Sequence, residues 1–140
     1  MTENPAEEVY EYHITVESGD IDILNHVNNT VYLRWVQEAA IAHWTHAASE
    51  EEKAEYLWIV SRHEIDYKYP ALLGEELIAK TKVGKSEKIH FERLTDIVRK
   101  VDGRVLASAR TLWCPIDPAT RRLKRVSEQT RKRFSVSWDI

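Results

Sequence analysis

Residues 20–29, DIDILNHVNN, hold two aspartates, a histidine and three asparagines immediately ahead of the aromatic, apolar run TVYLRW. A carboxylate can attack an electrophile or activate water, and an imidazole titrates near neutral pH. The start of a helix adds unpaired backbone N–H groups at the positive end of its dipole. Asp22 stands seven residues before Asn29, just ahead of where such a helix would begin. The same residues also support a structural reading. An aspartate in a turn before a helix is commonly a cap or an Asx-turn, Asn28 has the chemistry of an N-cap, Asp20 can brace the turn, and His26 can bond backbone.

The elements that must position these groups follow from periodicity. Tyr10, Tyr12, Ile14 and Val16 alternate with Glu11, His13 and Thr15, which predicts a half-buried strand. Residues 29–48 read as the one long helix, with Val31, Tyr32, Trp35, Val36, Ala39, Ala40, His43, Trp44 and Ala47 recurring at spacings of three and four. Leu33 and Ile41 widen that apolar girth, so burial on most sides is expected, with Arg34 and Glu38 pairing on a narrow polar strip. Ser49 can cap a short acidic helix over the following residues. Four strands are predicted next, over 57–69, 76–84, 88–101 and 104–114, with Asp102-Gly103 as a tight turn between the last two. Short connections imply an antiparallel sheet, and one apolar helix must bury itself against that sheet's concave face. The expected fold class is α+β, a curved antiparallel sheet wrapped around one long central helix. One domain spans residues 1–140, with 1–8 as a flexible lead and 121–140 as a basic C-terminal segment that includes a short helix over SEQTRKRF.

Bulk properties narrow the function class. The chain has 140 residues, 43% hydrophobic and 31% charged, enough for one globular core. A formal net charge of -3 gives no reason to expect nucleic acid as a partner. A single cysteine, Cys114, excludes an intramolecular disulfide framework and fits a reducing compartment. The acidic N-terminus lacks the features of a signal peptide, and no apolar run approaches the roughly 18 residues of a membrane span. A soluble, cytoplasmic protein is the expectation.

The pattern Asp20-x-Asp22, His26-Val27-Asn28-Asn29, Tyr32-Leu33-x-Trp35 resembles the signature of hotdog-fold acyl thioesterases, and the order of elements is that fold's order. It looks most like the 4-hydroxybenzoyl-CoA thioesterase-like acyl-CoA hydrolases and the plant-type acyl-carrier-protein thioesterases. In the former, the second aspartate is the catalytic carboxylate, which implies Asp22 as nucleophile or general base. The residue at the helix start polarises the thioester carbonyl through its backbone N–H, which implies Asn29. In the plant-type enzymes an aspartate, an asparagine two residues on and a histidine two further act together. Asp22 and His26 match two of them, whereas Leu24 stands where the middle asparagine belongs, with Asn25 adjacent. The resemblance further implies an acyl-CoA substrate, a homodimer with active sites at the shared interface, and a homotetramer as a further assembly. No metal or organic cofactor is expected.

Other residues compete for chemistry. Other hotdog branches place a catalytic glutamate on the central helix, where Glu38 stands, although pairing with Arg34 is its simpler use. His43 and His46 have a spacing that can hold a metal, but no acidic partner lies near them in sequence. Cys114 reads as core. The run at Arg121, Arg122, Lys124, Arg125 and Arg131–Arg133 reads as a solvated tail, an anionic-surface site, or cations for CoA phosphates, the last shared with Lys82, Lys85 and Lys88. It could also receive an acidic carrier protein. Trp35, Trp44, Trp58 and Trp113 are core by pattern, with some available to line an acyl or aryl tunnel. A non-catalytic acyl-binding module on the same fold is the alternative from a different class, and Leu24 is the residue that supports it.

Overall fold

The computed structural model describes residues 4–136 and, as backbone, 138–139. Its order is β1 (Tyr10–Thr15), α1 (Asn29–Ala47), α2 (Glu50–Glu55), β2 (Leu57–Tyr67), β3 (Glu76–Glu87), β4 (His90–Arg99), β5 (Val105–Ile116), α3 (Glu128–Arg133) and a two-residue β6 (Trp138–Asp139). The sheet order is β1-β3-β4-β5-β2, antiparallel throughout, with β6 added parallel to β3. This is the expected one long helix on an antiparallel sheet, with β1 and β2 as the ends of that strand order.

The long helix forms where the sequence predicts it because both ends are chemically marked. Asn28 accepts the Thr30 N–H on its side chain, and the Ala48 N–H closes the last turn on Trp44. Ser49 and Glu52 then make a reciprocal capping box that starts α2. Val31, Tyr32, Trp35, Val36 and Ala39 lie buried against Ile14, Leu77, Ala79, Ile97, Leu106 and their neighbours. Burial is narrower than the apolar girth suggests. Ile41 is 56% exposed, so one face of α1 is covered and an apolar flank is left open beside β2. Arg34 and Glu38 pair as expected, at 3.6 Å.

Two terminal segments depart from expectation. Residues 4–8, read as a flexible lead, form a 3-10 turn with Pro5 buried and Glu8 bonded to His43 at 2.6 Å; residues 1–3 of that lead lie outside the described residues. The basic segment is tied into the fold and is not simply solvated. Arg133 donates to Glu52 and to the Ala47 carbonyl that ends α1, Arg131 to Ser86 and the Lys88 carbonyl, and Lys124 to the Glu55 carbonyl. Partner groups distant in sequence fix this segment, and its charge run says nothing of them. Residues 137 and 140 lie outside the described residues.

Candidate active site

The polar stretch builds a compact turn on the N-terminus of α1. A 3-10 turn at Ser18–Asp20 ends with Asp20 folded inward, where its carboxylate accepts the Glu17 N–H at 2.9 Å and Arg34 at 3.0 Å. The chain then reverses over 21–27. Ile21 and Val27 form a bridge, the Asp22 N–H donates to the His26 carbonyl at 2.9 Å, and the Asn25 N–H donates to the Asp22 carbonyl at 3.0 Å. Asn25 adopts φ 63, a left-handed conformation that asparagine tolerates. Val27 and Asn28 anchor the exit through N–H bonds to the Ala71 and Asp20 carbonyls. Asp20 and Asn28 therefore have the bracing and capping roles the structural reading assigned to them.

The remaining groups are left available. Asp22 uses one carboxylate oxygen, Oδ1, as an Asx-type acceptor for the Leu24 N–H at 2.9 Å. Thr30 N–H is taken by the Asn28 side chain and Val31 N–H by the Asn28 carbonyl. The Asn29 N–H meets no acceptor among the described residues. It opens to solvent at the positive end of a 19-residue helix, the arrangement that binds a negatively charging oxygen. His26 is exposed, with its carbonyl fixed and its imidazole free of hydrogen bonds to the described residues. Leu24 and Ile23 are 70% and 95% exposed at the tip of the turn, so Leu24 fills no interior position an asparagine would need to vacate.

The floor beside this terminus is aromatic. Tyr67 of β2 donates to the Asn29 carbonyl at 3.1 Å, and Tyr32 accepts the Ala71 N–H at 3.0 Å. Tyr32 meets Trp35 and Tyr67 edge-on, both at 5.3 Å. Burial pushes both phenols above their ordinary pKa, so they act as neutral hydrogen-bonding groups. Tyr67 was legible only as a strand position: the alternation groups it with His63 and Ile65, and the helix lies over that face. His63 itself bonds Gln37 of α1 at 3.2 Å and Thr111 of β5 at 3.0 Å, and burial lowers its pKa.

The other candidates are placed elsewhere. Glu38 is engaged by Arg34 and by Tyr12 on the β1 side of the helix. His43 is fully buried, donates from Nε2 to Glu8 and accepts from Arg93 at Nδ1, 2.9 Å away. The acidic partner absent near His43 in sequence comes from the N-terminal segment, and the pair serves the interior. Among the described residues no cluster of three His, Cys, Asp or Glu is placed as a metal site. Cys114 is buried, as its strand position predicts.

Comparison with known proteins agrees with this frame. Residues 16–134 match the model of the thioesterase-like superfamily, and the chain belongs to that superfamily. No match was found among curated proteins. Among solved structures, a 1,4-dihydroxy-2-naphthoyl-CoA thioesterase from Synechocystis superposes with a TM-score of 0.75 at 18% identity, covering 91% of this chain and 96% of that one. A thioesterase from Thermus thermophilus, solved with coenzyme A and zinc, gives 0.76 at 25% identity over 90% and 91%. A 12:0-ACP thioesterase from Umbellularia californica gives 0.74 at 17% over 88% of this chain and 48% of that one. The fold is the hotdog fold. No helix among the described residues is long and apolar enough to cross a membrane.

Proposed function

We propose that this protein is an acyl-CoA thioesterase that hydrolyses the thioester to a free acid and CoA, working as a cytoplasmic homodimer without metal or organic cofactor. The observation that carries the reading is the free Asn29 N–H at the start of α1, next to a turn that holds the Asp22 carboxylate. With the substrate carbonyl on that amide, Asp22 takes a proton from the attacking water, or attacks the carbonyl carbon itself to give an acyl anhydride that water then cleaves to the free acid and the restored carboxylate. The oxyanion then gains the helix-terminal donor as charge develops, which is where such a donor contributes most. The CoA thiolate leaves. His26, exposed on the facing arm of the turn, orients water or substrate.

Coenzyme A is preferred over an acyl carrier protein because the basic segment is partly spent. Arg131, Arg133 and Lys124 are engaged within the fold, which leaves fewer cations for an acidic protein surface. The dimer is supported by β2, an eleven-residue strand with a free edge.

The test is thiol release from short, medium, long-chain and aromatic acyl-CoAs by wild type and by Asp22→Asn. A fall in kcat/KM of about two orders of magnitude or more is expected, the usual scale for losing a positioned acid or base. Full activity in the variant would remove Asp22 from the chemistry. No turnover on any thioester would favour the non-catalytic acyl-binding alternative.

A further inference from the structure

One cation reaches back from α1 onto the turn that carries Asp22. Arg34 stands five residues past Asn29, and its Nη2 donates to Asp20 Oδ1 at 3.0 Å. Its Nε lies 3.6 Å from Glu38 Oε2, one helical turn further on. Glu38 in turn accepts a long bond of 3.5 Å from the Tyr12 hydroxyl of β1. The Arg34 side chain is 54% exposed and the Asp20 side chain 8%. The arginine is shared between a buried carboxylate and a half-exposed one, and the shorter contact goes to the buried one.

Charge explains that preference. A carboxylate withdrawn from water needs a cation and N–H donors in exchange, or it turns back to solvent. Asp20 has one of each among the described residues, Arg34 on Oδ1 and the Glu17 N–H on Oδ2. Glu38 stays in contact with water whichever way Arg34 leans, so its ion pair contributes little.

Asp20 also joins the two arms of the turn. Its carboxylate fixes Glu17 at the entry, and its carbonyl accepts the N–H of Asn28, the cap residue at the exit, at 2.9 Å. Val27 pins the exit arm to Ala71, whereas Asp20 ties the entry arm to the exit and, through Arg34, to the body of the helix. Asp22 follows Asp20 by two residues, and its backbone bonds only to Asn25 and His26, which travel with it in the same turn.

We propose that Arg34 is a positioning residue for thioester hydrolysis: through Asp20 it holds the Asp22 carboxylate at a fixed place relative to the Asn29 amide, while Glu38 competes for it and takes no part in the chemistry. The inference rests on the thioesterase reading above. Arg34 itself touches neither substrate nor water in the reaction.

The test measures kcat and KM by thiol release for wild type, Arg34→Ala, Arg34→Lys and Glu38→Gln, on the acyl-CoA that wild type turns over best. Arg34→Ala should lose about tenfold to a hundredfold in kcat, the scale of a reacting group misplaced by about 1 Å, with little change in KM. Arg34→Lys, or guanidinium ion added to Arg34→Ala below denaturing concentrations, should restore part of that loss, because either returns a cation to Asp20. Glu38→Gln removes the competitor, so its kcat should match wild type or exceed it. A merely structural arginine would move the unfolding midpoint and leave kcat of the folded protein alone. Amide exchange at Asn28, followed by NMR, reads the turn without turnover. It should quicken by about tenfold or more in Arg34→Ala, the scale of one charge-assisted hydrogen bond lost.

Unchanged kcat in Arg34→Ala overturns the proposal, as does a fall that neither guanidinium nor lysine reverses, or Asn28 exchange at the wild-type rate. An equal fall in Glu38→Gln also overturns it and moves Glu38 into the chemistry. A wild type that releases no thiol from any thioester defeats the thioesterase reading instead, and the exchange rates still decide whether Arg34 holds the turn. If Arg34→Ala does not fold by circular dichroism, Arg34→Lys carries the kcat and exchange comparisons with wild type.

Discussion

Asn28 and Asp22 are both turn residues that accept backbone N–H groups, yet they leave different amounts of chemistry unspent. The Asn28 side-chain oxygen accepts both the Thr30 N–H at 2.9 Å and the Thr30 hydroxyl at 2.8 Å. Asp22 commits Oδ1 to the Leu24 N–H, and its second oxygen accepts no hydrogen bond from the described residues. Asn28→Ala should therefore act on stability, costing about 1 kcal/mol through the lost cap, while Asn28→Asp keeps the acceptor and most of that energy. Urea unfolding of the three proteins checks this; equal midpoints for wild type and Asn28→Ala would mean the helix start is held by Val27 and Tyr32 alone. This division was partly readable from residue type, because Asn-Asn-Thr ahead of an apolar run is cap chemistry. The inward turn of Asp20 onto Arg34 was not. Its partner lies one and a half turns into the helix, and the same arginine was already assigned to Glu38.

At the scale of elements, β1, β3, β4 and α1 are joined by a buried polar relay. Glu8 precedes β1, His43 projects from α1, Arg93 from β4 and Thr81 from β3, and Tyr10 of β1 stacks on His43 at 5.1 Å. Burial first, and the Arg93 charge second, lower the His43 pKa to about 4, while Glu8 opposes the shift and His46 adds to it. The sign follows from linkage. Between about pH 4 and the unfolded value near 6.5, the unfolded chain binds a proton that the folded chain refuses. Stability therefore rises with pH through that window, by up to about 1.4 kcal/mol per pH unit, and levels off above it. Burial of His63 adds to the slope in the same direction. Unfolding free energies measured from pH 4.5 to 7.5 should climb in wild type and climb less steeply in His43→Gln; parallel curves would assign the slope to other groups. The strands and the helix that carry this relay were all legible, because period-two and 3.6-residue patterns arise from local burial. The relay was not, since it links residues 8, 43, 81 and 93 through contacts that only the packed sheet creates. Its signal was a histidine on the apolar face of α1, which sequence alone left between core packing and a metal.

For the whole molecule, the open question is what covers β2. Its free edge is flanked by Ile41 at 56% exposure, Ile59 at 46%, Tyr67 at 44% and Leu57 at 38%. An exposed apolar edge strand invites pairing, and a second copy can pair with it antiparallel about a two-fold axis. Antiparallel pairing brings the Tyr67 end of one strand toward the Leu57 end of the other. Tyr67 touches Asn29, and Leu57 lines a cavity walled by Trp44, Trp58 and Phe91 between α1 and the sheet. A dimer of this kind sets the candidate carboxylate and helix amide of one protomer beside the cavity of its partner, whereas within one protomer about three turns of α1 separate Asn29 from Ala40, the first helical residue in the cavity wall. The sequence announced one sheet and one helix but not this arrangement, because an edge strand and an interior strand share the same alternation. Ile59→Lys tests it. The side chain is exposed in the single protomer, so folding stability should change by no more than about 0.5 kcal/mol. In the dimer it sets a charge against an apolar contact, and dissociation should rise by about two orders of magnitude or more. Light scattering after size exclusion reads the mass, and thiol release reads the activity. Monomer formation with loss of turnover on the same concentration scale makes the active unit the dimer, whereas a variant that stays dimeric and active places the interface on another edge.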